Sequence, residues 1–302
     1  MITACPPGDE PDLERFAALL EATGQYRVLR RLPPLNIQMR PVNPRERIVA
    51  IVDTETTGLD PSQDEVIEFA GIAVAYNLDG DFTGIVSSFS QLQEPKVALS
   101  ADIIRLTGIT KAMLQGQTID KEELDKFVDS ADLIVAHNAS FDRPFCENLS
   151  NVFQTKPWAC SATEVDWNML GFDGAKLTYL VTHAGYFYEA HRALDDCNAL
   201  ARVLGTPLAG TADQTPFKQL LNSARETRTR VSFPAPYSSR ATLRAKGFRW
   251  RSSSSRAPGN WYADIPDQDV QPTLDWLLGQ MNISRTLIRL SQITALERYR
   301  QE

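Results

Sequence analysis

The chain is short of several things. It has only four cysteines in 302 residues, Cys5, Cys146, Cys160 and Cys197, and only three histidines. No two cysteines stand in a C-x-x-C pair, so neither a zinc site nor a disulfide framework is expected, and free buried thiols in a reducing cytosol are the default. No apolar run reaches the ~18 residues a membrane helix needs. The first residues, Met1 to Pro7, lack a basic stretch followed by an apolar one, which speaks against a signal peptide. A cytoplasmic location without membrane association is therefore expected. Glycine, at 16, and proline, at 18, are too few for a fibrous or low-complexity chain. What is present, 43% hydrophobic and 23% charged residues, is ordinary for a globular protein long enough for one sizeable core and smaller pieces.

The net charge of −7 conceals an uneven distribution. Residues 45–206 carry 25 acids against 12 bases, whereas residues 207–262 carry two acids against ten bases. An acidic body with a basic segment fits either a cation-binding cleft beside a phosphate-binding surface, or two solvated surfaces balancing each other.

Four parts are expected. Residues 1–44 form an N-terminal helical appendage, its helix over 10–24 carrying Leu13, Phe16 and Leu20 on one stripe. Residues 45–206 alternate strand and helix signals, the mark of an α/β unit with a mixed sheet. Buried strands are expected at 48–52 and 132–136, two shorter ones at 66–69 and 72–76, and helices at 103–114, 121–128, 141–149 and 193–204. Residues 207–230 read as a linker with a short helix near 217–224. Residues 231–302 read as a small basic and aromatic α+β module, with strands around Phe248-Arg-Trp-Arg and Trp261-Tyr-Ala-Asp-Ile flanking a Ser/Pro/Gly loop, then helices at 272–280 and 284–298.

Three acidic segments carry chemistry. In Asp53-Thr54-Glu55-Thr56-Thr57-Gly58-Leu59, residues two apart on a strand share a face, so Asp53 and Glu55 place two carboxylates together at a strand end. Close carboxylates repel unless a cation offsets them, and oxygen-only ligands suit Mg²⁺ or Mn²⁺. Taken alone, this is equally a turn with exposed acids. Asp142, in His137-Asn138-Ala139-Ser140-Phe141-Asp142, falls in the first turn of a helix, where an acid is favourable in any case. In His191-Arg192-Ala193-Leu194-Asp195-Asp196, Asp196 shares the apolar stripe of Ala193, Leu200 and Val203, while Asp195 lies with Asn198 and Arg202 on a solvated one. An inward acid needs a partner, which a metal ion would supply. His137 and His183 read as structural or exposed.

In this order and at roughly these separations, the three segments resemble the motifs of the DEDDh 3′–5′ exonucleases, a family that includes the proofreading epsilon subunit of bacterial DNA polymerase III. Asp53 and Glu55 fit the first motif, Asp142 the second, and His191 and Asp196 the third. The segment Ile104 to Leu114 also resembles this family, although Thr107 stands where the proofreading subunit has a histidine. The related subclass with a tyrosine four residues before the last aspartate is excluded, because that position is Arg192. The resemblance implies an RNase H-like mixed five-stranded sheet flanked by helices and two divalent cations, Mg²⁺ or Mn²⁺, on Asp53, Glu55, Asp142 and Asp196. It also implies His191 as the base that activates water, and Thr56, Gly58, Leu59 and Asn138 near the terminal nucleotide, Leu59 wedged against its base. The implied partner is nucleic acid with a free 3′ end, DNA favoured and RNA possible, with a DNA polymerase or other protein reached through the terminal parts. An RNA-trimming enzyme and a non-catalytic polymerase-bound scaffold remain open at this level. So does the role of Arg240, Arg244, Lys246, Arg249, Arg251 and Arg256, which interleave with Phe248, Trp250, Trp261 and Tyr262. That pattern suits a single-strand surface as well as a hairpin with an aromatic core face.

Overall fold

The structure is a computed structural model that describes residues 10–38, 40–207, 214–251 and 260–300. Cys5, the segment around Gly210, and the Ser/Pro/Gly loop with Arg256 lie outside the described residues. The strands are β1 (Arg30–Arg31), β2 (Arg47–Thr56), β3 (Val66–Tyr76), β4 (Phe82–Leu92), β5 (Leu133–Ala136), β6 (Trp158–Cys160), β7 (Tyr186–Phe187), β8 (Arg228–Pro234), β9 (Arg249–Arg251), β10 (Asn260–Pro266) and β11 (Arg289–Ile293).

Five of them form the mixed sheet that organises the site, in the order β4-β3-β2-β5-β6. β4, β3 and β2 are an antiparallel meander, and β2, β5 and β6 run parallel. Successive residues of a strand face opposite sides. Thus Val49, Ile51, Ile72 and Val74 pack with Leu200, Leu204 and Phe217 on one face. Ala50, Val52 and Ala73 pack with Phe127, Phe145, Phe153 and Trp158 on the other. Burial on both faces is why these strands read as continuous apolar runs rather than alternations.

The two short strands expected at 66–69 and 72–76 are one strand of eleven residues, all buried. Gly71 does not interrupt it. The ring of Phe127 lies over this position, where a Cβ would come within 2.6 Å of it, so the glycine accommodates a close approach rather than a turn. The helix expected at 103–114 is two, Ala101–Thr107 and Lys111–Leu114. Gly108, at φ +71°, ends the first in the left-handed conformation, and Thr110 caps the second. β4 and β6 carried no expectation of their own. β4 is half exposed, with polar residues on its outer face, and β6 is only three residues long.

The C-terminal part is a second, four-stranded antiparallel sheet in the order β11-β8-β10-β9. Its own core contains Val231, Phe233, Phe248, Trp261 and Leu277. Phe248 and Trp261 are therefore core rings. The helix expected at 284–298 is replaced by a 3-10 turn, Arg285–Leu287, and strand β11. Leu287, Leu290 and Ile293 have helical spacing. The free backbone edge of β8 takes the segment as a strand instead, because unpaired strand N–H and C=O groups outweigh a weak helical preference.

The boundaries expected around residues 207–230 also shift. The Pro216–Arg225 helix buries Phe217, Leu220 and Leu221 in the first core, so it is not a free linker. β8 begins at Arg228, ahead of residue 231. The last residues return to the first sheet. The backbone N–H of Trp158 on β6 donates to Ala295 at 2.8 Å, and Tyr299 is buried in the second core.

At the other end, the Glu10–Ala22 helix packs through Ala17, while Leu13 and Phe16 of the expected stripe stay exposed. β1 pairs in parallel with β7. Among the described residues, Cys146, Cys160 and Cys197 are free buried thiols, and no helix is long and apolar enough to cross a membrane.

Candidate active site

The C-terminal ends of the parallel strands β2, β5 and β6 share one edge of the sheet, and the acidic residues gather there. Asp53 and Glu55 project from the end of β2, on one face because they are two apart. Asp196 comes from the first turn of the Ala193–Gly205 helix, which packs across β2 and β3. Ligand atoms of Asp53, Glu55 and Asp196 all lie within 4.8 Å of one another. Asp142, at the start of the Ala139–Leu149 helix, stands outside that triad. Its Oδ1 accepts from the backbone N–H of Thr54 at 3.2 Å and from the Thr54 hydroxyl at 2.9 Å. It is nonetheless near enough to be the strongest charged neighbour acting on Asp53.

The electrostatics follow from crowding like charges in a dry site. Burial, then Asp142, Asp196 and Glu55, pushes the Asp53 carboxyl well above the usual range. Burial and Asp196 raise Glu55 to about 8. Burial raises Asp142 to about 7 against the lowering effect of its Thr54 hydrogen bonds. Asp196 is raised by burial too, although the Tyr188 hydroxyl donates to it at 2.6 Å and the His191 N–H at 2.8 Å. An all-oxygen donor set that is buried, crowded and held in strained ionisation is what a hard divalent cation relieves.

His191 lies just before the Ala193–Gly205 helix, exposed, with a left-handed φ of +69°. That conformation costs a side-chain-bearing residue of order 1–3 kcal/mol and persists only where surroundings fix it. Here its own N–H is tied to Asp196, and the two residues that follow are tied to Glu68.

Thr56 donates to the carbonyl of Gly58 at 2.5 Å, closing the turn after β2. A Cβ on Gly58 would collide with the Asp64 carboxylate, which receives Thr57 Oγ1 and the Asp60 N–H. Leu59 projects from this turn with 84% of its surface exposed. Asn138 is exposed at the end of β5, and its side chain accepts from Ser140. His137 is structural: its ring bonds Ser161 Oγ at 2.9 Å and the Ala175 carbonyl at 2.5 Å.

Three supporting residues were not singled out in the sequence. Thr54 holds Asp142, and Tyr188 holds Asp196. Glu68, 2% exposed on β3 directly across from Glu55, accepts from the Arg192 guanidinium at 2.9 Å and the Ala193 N–H at 3.1 Å. Glu68 had a legible signal, a lone charge inside the apolar run Val66–Tyr76. Tyr188 had none, since only folding brings it to Asp196.

Comparison with known proteins points the same way. A family model described as an exonuclease matches residues 50–204. The DNA polymerase III PolC-type protein of Clostridium perfringens is 34% identical over 160 residues, 51% of this chain and 11% of that protein. Its counterpart in Thermotoga petrophila is 31% identical over 168 residues, with the same coverage. The chain thus spans about a tenth of the length of these curated relatives. A solved structure of exonuclease X in complex with 5′-overhanging duplex DNA covers 58% of this chain and 99% of its own, at 26% identity and a TM-score of 0.44. With the family match covering half of its length, from the middle of β2 to the end of the helix that bears Asp196, this chain belongs to the exonuclease family.

Proposed function

We propose that the protein is a metal-dependent 3′–5′ exonuclease that hydrolyses the terminal phosphodiester of a DNA strand and releases 5′-nucleotides. The observation that carries this is the convergence of Asp53, Glu55 and Asp196 within 4.8 Å at the strand edge, with Asp142 beside them. The preference for DNA rests on the polymerase relatives, which also make proofreading or repair the natural setting.

Asp53, Glu55 and Asp196 would hold one divalent ion, Mg²⁺ or Mn²⁺, with Asp53 shared and Asp142 serving a second directly or through water. When bound, such ions offset the charge that builds on the attacking and leaving oxygens. The remaining work belongs to the chain. His191 accepts a proton from the water whose oxygen attacks phosphorus, while the bond to the 3′ oxygen breaks and that oxygen leaves with the shortened strand. Glu68 and the Asp196 carboxylate fix the turn that presents the imidazole, so little reorganisation is needed at the moment of reaction. Thr56 and Gly58 shape the floor beneath the terminal sugar, Asn138 borders it, and exposed Leu59 packs on the terminal base.

The test is nucleotide release from 3′-recessed DNA, blunt DNA, single-stranded DNA and RNA, with Mg²⁺, with Mn²⁺ and with chelator. DNA substrates should be shortened from the 3′ end only in the presence of metal. RNA shortened faster than DNA would replace the DNA reading with exoribonuclease activity, and no cleavage under any condition would leave only a binding role. His191→Ala should lower kcat by ~10²–10⁴-fold, the usual contribution of a positioned general base, with KM little changed. An unaltered kcat would remove His191 from the mechanism.

A further inference from the structure

The two sheets meet between the Ser161–Glu164 turn and the outer face of β8, β10 and β9. A cleft of about 220 Å³ is lined there by Thr163, Arg228, Arg249, Tyr262, Asp264 and Tyr299. Topology places it relative to the carboxylates. Thr163 sits in the Ser161–Glu164 turn that immediately follows β6. Because β2, β5 and β6 are parallel, that turn is on the same sheet edge as Asp53 and Glu55. β6 is two strands from β2, a lateral separation of ~10 Å at the usual strand spacing. A strand whose 3′ end occupies the carboxylate site reaches this far within a few nucleotides.

The lining has the chemistry for such a strand. Arg249 is half-buried, with its guanidinium 5.3 Å from the Tyr299 ring centroid. Arg228, behind it, donates to Ser223 through Nη2, while its buried Nε has no hydrogen-bond partner among the described residues. Asp264 does not cancel Arg249, because it is already engaged by Arg230 at 2.7 and 3.0 Å, whereas Arg228 stands 3.7 Å from the buried Glu164 carboxylate and is already paired. The Tyr262 ring stands next to them, packed by Arg230 at 5.1 Å. Guanidinium groups beside aromatic rings suit a phosphodiester and its base. The volume holds about one nucleotide and excludes a duplex, so the strand is single at this point.

We propose that this junction cleft binds an internal nucleotide of the substrate strand, its phosphate on Arg249 and its base against Tyr262. The proposal rests on the nuclease reading for the identity of the strand, and its test separates the two. Binding of a fluorescent 12-nucleotide single-stranded DNA to the full-length protein is titrated in chelator at several salt concentrations, for the wild type, Arg249→Ala and Thr163→Glu. Thr163 is exposed at the rim, so an acid there repels phosphate, although its hydroxyl now lies 3.3 Å from that of Tyr299 and the substitution removes that contact. Thermal melts establish which variants are folded.

Affinity should fall about fivefold or more in each folded variant. In Arg249→Ala the salt slope should also flatten by about 0.7, the value for one phosphate contact with a single strand. Unchanged affinity and slope in both variants would overturn the cleft. Nucleotide release by the wild type with Mn²⁺ is measured in parallel. Its absence would defeat the nuclease reading while leaving the metal-free binding result fully interpretable.

Discussion

Asp53→Asn should reduce metal-dependent nucleotide release by ~10³-fold or more and, at the same time, stabilise the metal-free protein at pH 8. The first effect follows from the charge a divalent pair offsets in phosphodiester cleavage, several kcal/mol at 1.36 kcal/mol per tenfold. The second follows from the crowding. Asp53 is pushed well above its ordinary range by burial and by Asp142, Asp196 and Glu55. An amide of the same shape removes an ionisable group from a site that, without cations, disfavours its charged form. The pH dependence has a definite sign. In the folded chain Glu55 titrates at about 8 and Asp142 at about 7, against ordinary values of 4.5 and 3.8. These carboxyls are raised rather than depressed, so the folded chain binds more protons than the unfolded chain between roughly pH 4 and 8, and stability declines as pH rises through that window. Urea melts at pH 5, 7 and 8 should show this decline in chelator, a shallower one in Asp53→Asn, and recovery on adding Mn²⁺ to the wild type alone. A variant less stable than wild type at pH 8 in chelator would mean that Asp53 is a structural acid, not one held ready for a cation.

Much of this site was legible in the sequence, for a physical reason. A carboxylate inside or next to a buried apolar element is costly, so the few that occur there, Asp53, Glu55 and Asp196, stand out against their neighbours. The distinction between Asp195 and Asp196 followed from helical geometry, and the structure places Asp195 at the exposed position. Fold-level expectations succeeded where a strand is buried on both faces, as in β2 and β5. They failed where partners decide conformation. β4 breaks the alternation of a half-buried strand, with Ile85-Val86 beside Ser87-Ser88 and irregular pairing to β3, and β11 is a strand because β8 has an open edge. Tyr188, Thr54 and the Arg192 to Glu68 pair act through contacts between residues up to 124 positions apart. No local pattern announces such contacts.

The least expected feature is the return of residues 294–300 to the exonuclease sheet, and it carries the second large prediction. Glu164→Ala should cost ~3–5 kcal/mol, because the partners it leaves behind have no access to water. Glu164 and Arg298 are both 0% exposed at the side chain and pair at 2.6 Å. The same carboxylate accepts from the Tyr299 hydroxyl, the Ser223 hydroxyl and the Cys160 N–H. One residue after Asp142, the fully buried Arg143 guanidinium donates to the backbone carbonyls of Arg298 at 2.6 Å and Leu296 at 2.8 Å. Burial pulls Arg143 down to about 10, the sign of a cation held in place by those acceptors and by Glu147 rather than by water. Against a total stability of ~5–15 kcal/mol, losing Glu164 leaves the fold marginal. Truncation after Ile293 should be at least as damaging, since it removes Tyr299 from the core and both carbonyls from Arg143. The exposed Asp102 to Arg105 pair is the matched control, and Arg105→Ala should cost under ~1 kcal/mol. Denaturant melts of the three variants decide the matter: a Glu164→Ala protein within 1 kcal/mol of wild type would show the tail to be a surface contact. If the cost is as large as expected, removing the C-terminal part does not test its affinity for nucleic acid. The Ala139–Leu149 helix that positions Asp142 would lose its support in the same cut, and activity would fall whether or not the second sheet touches the substrate.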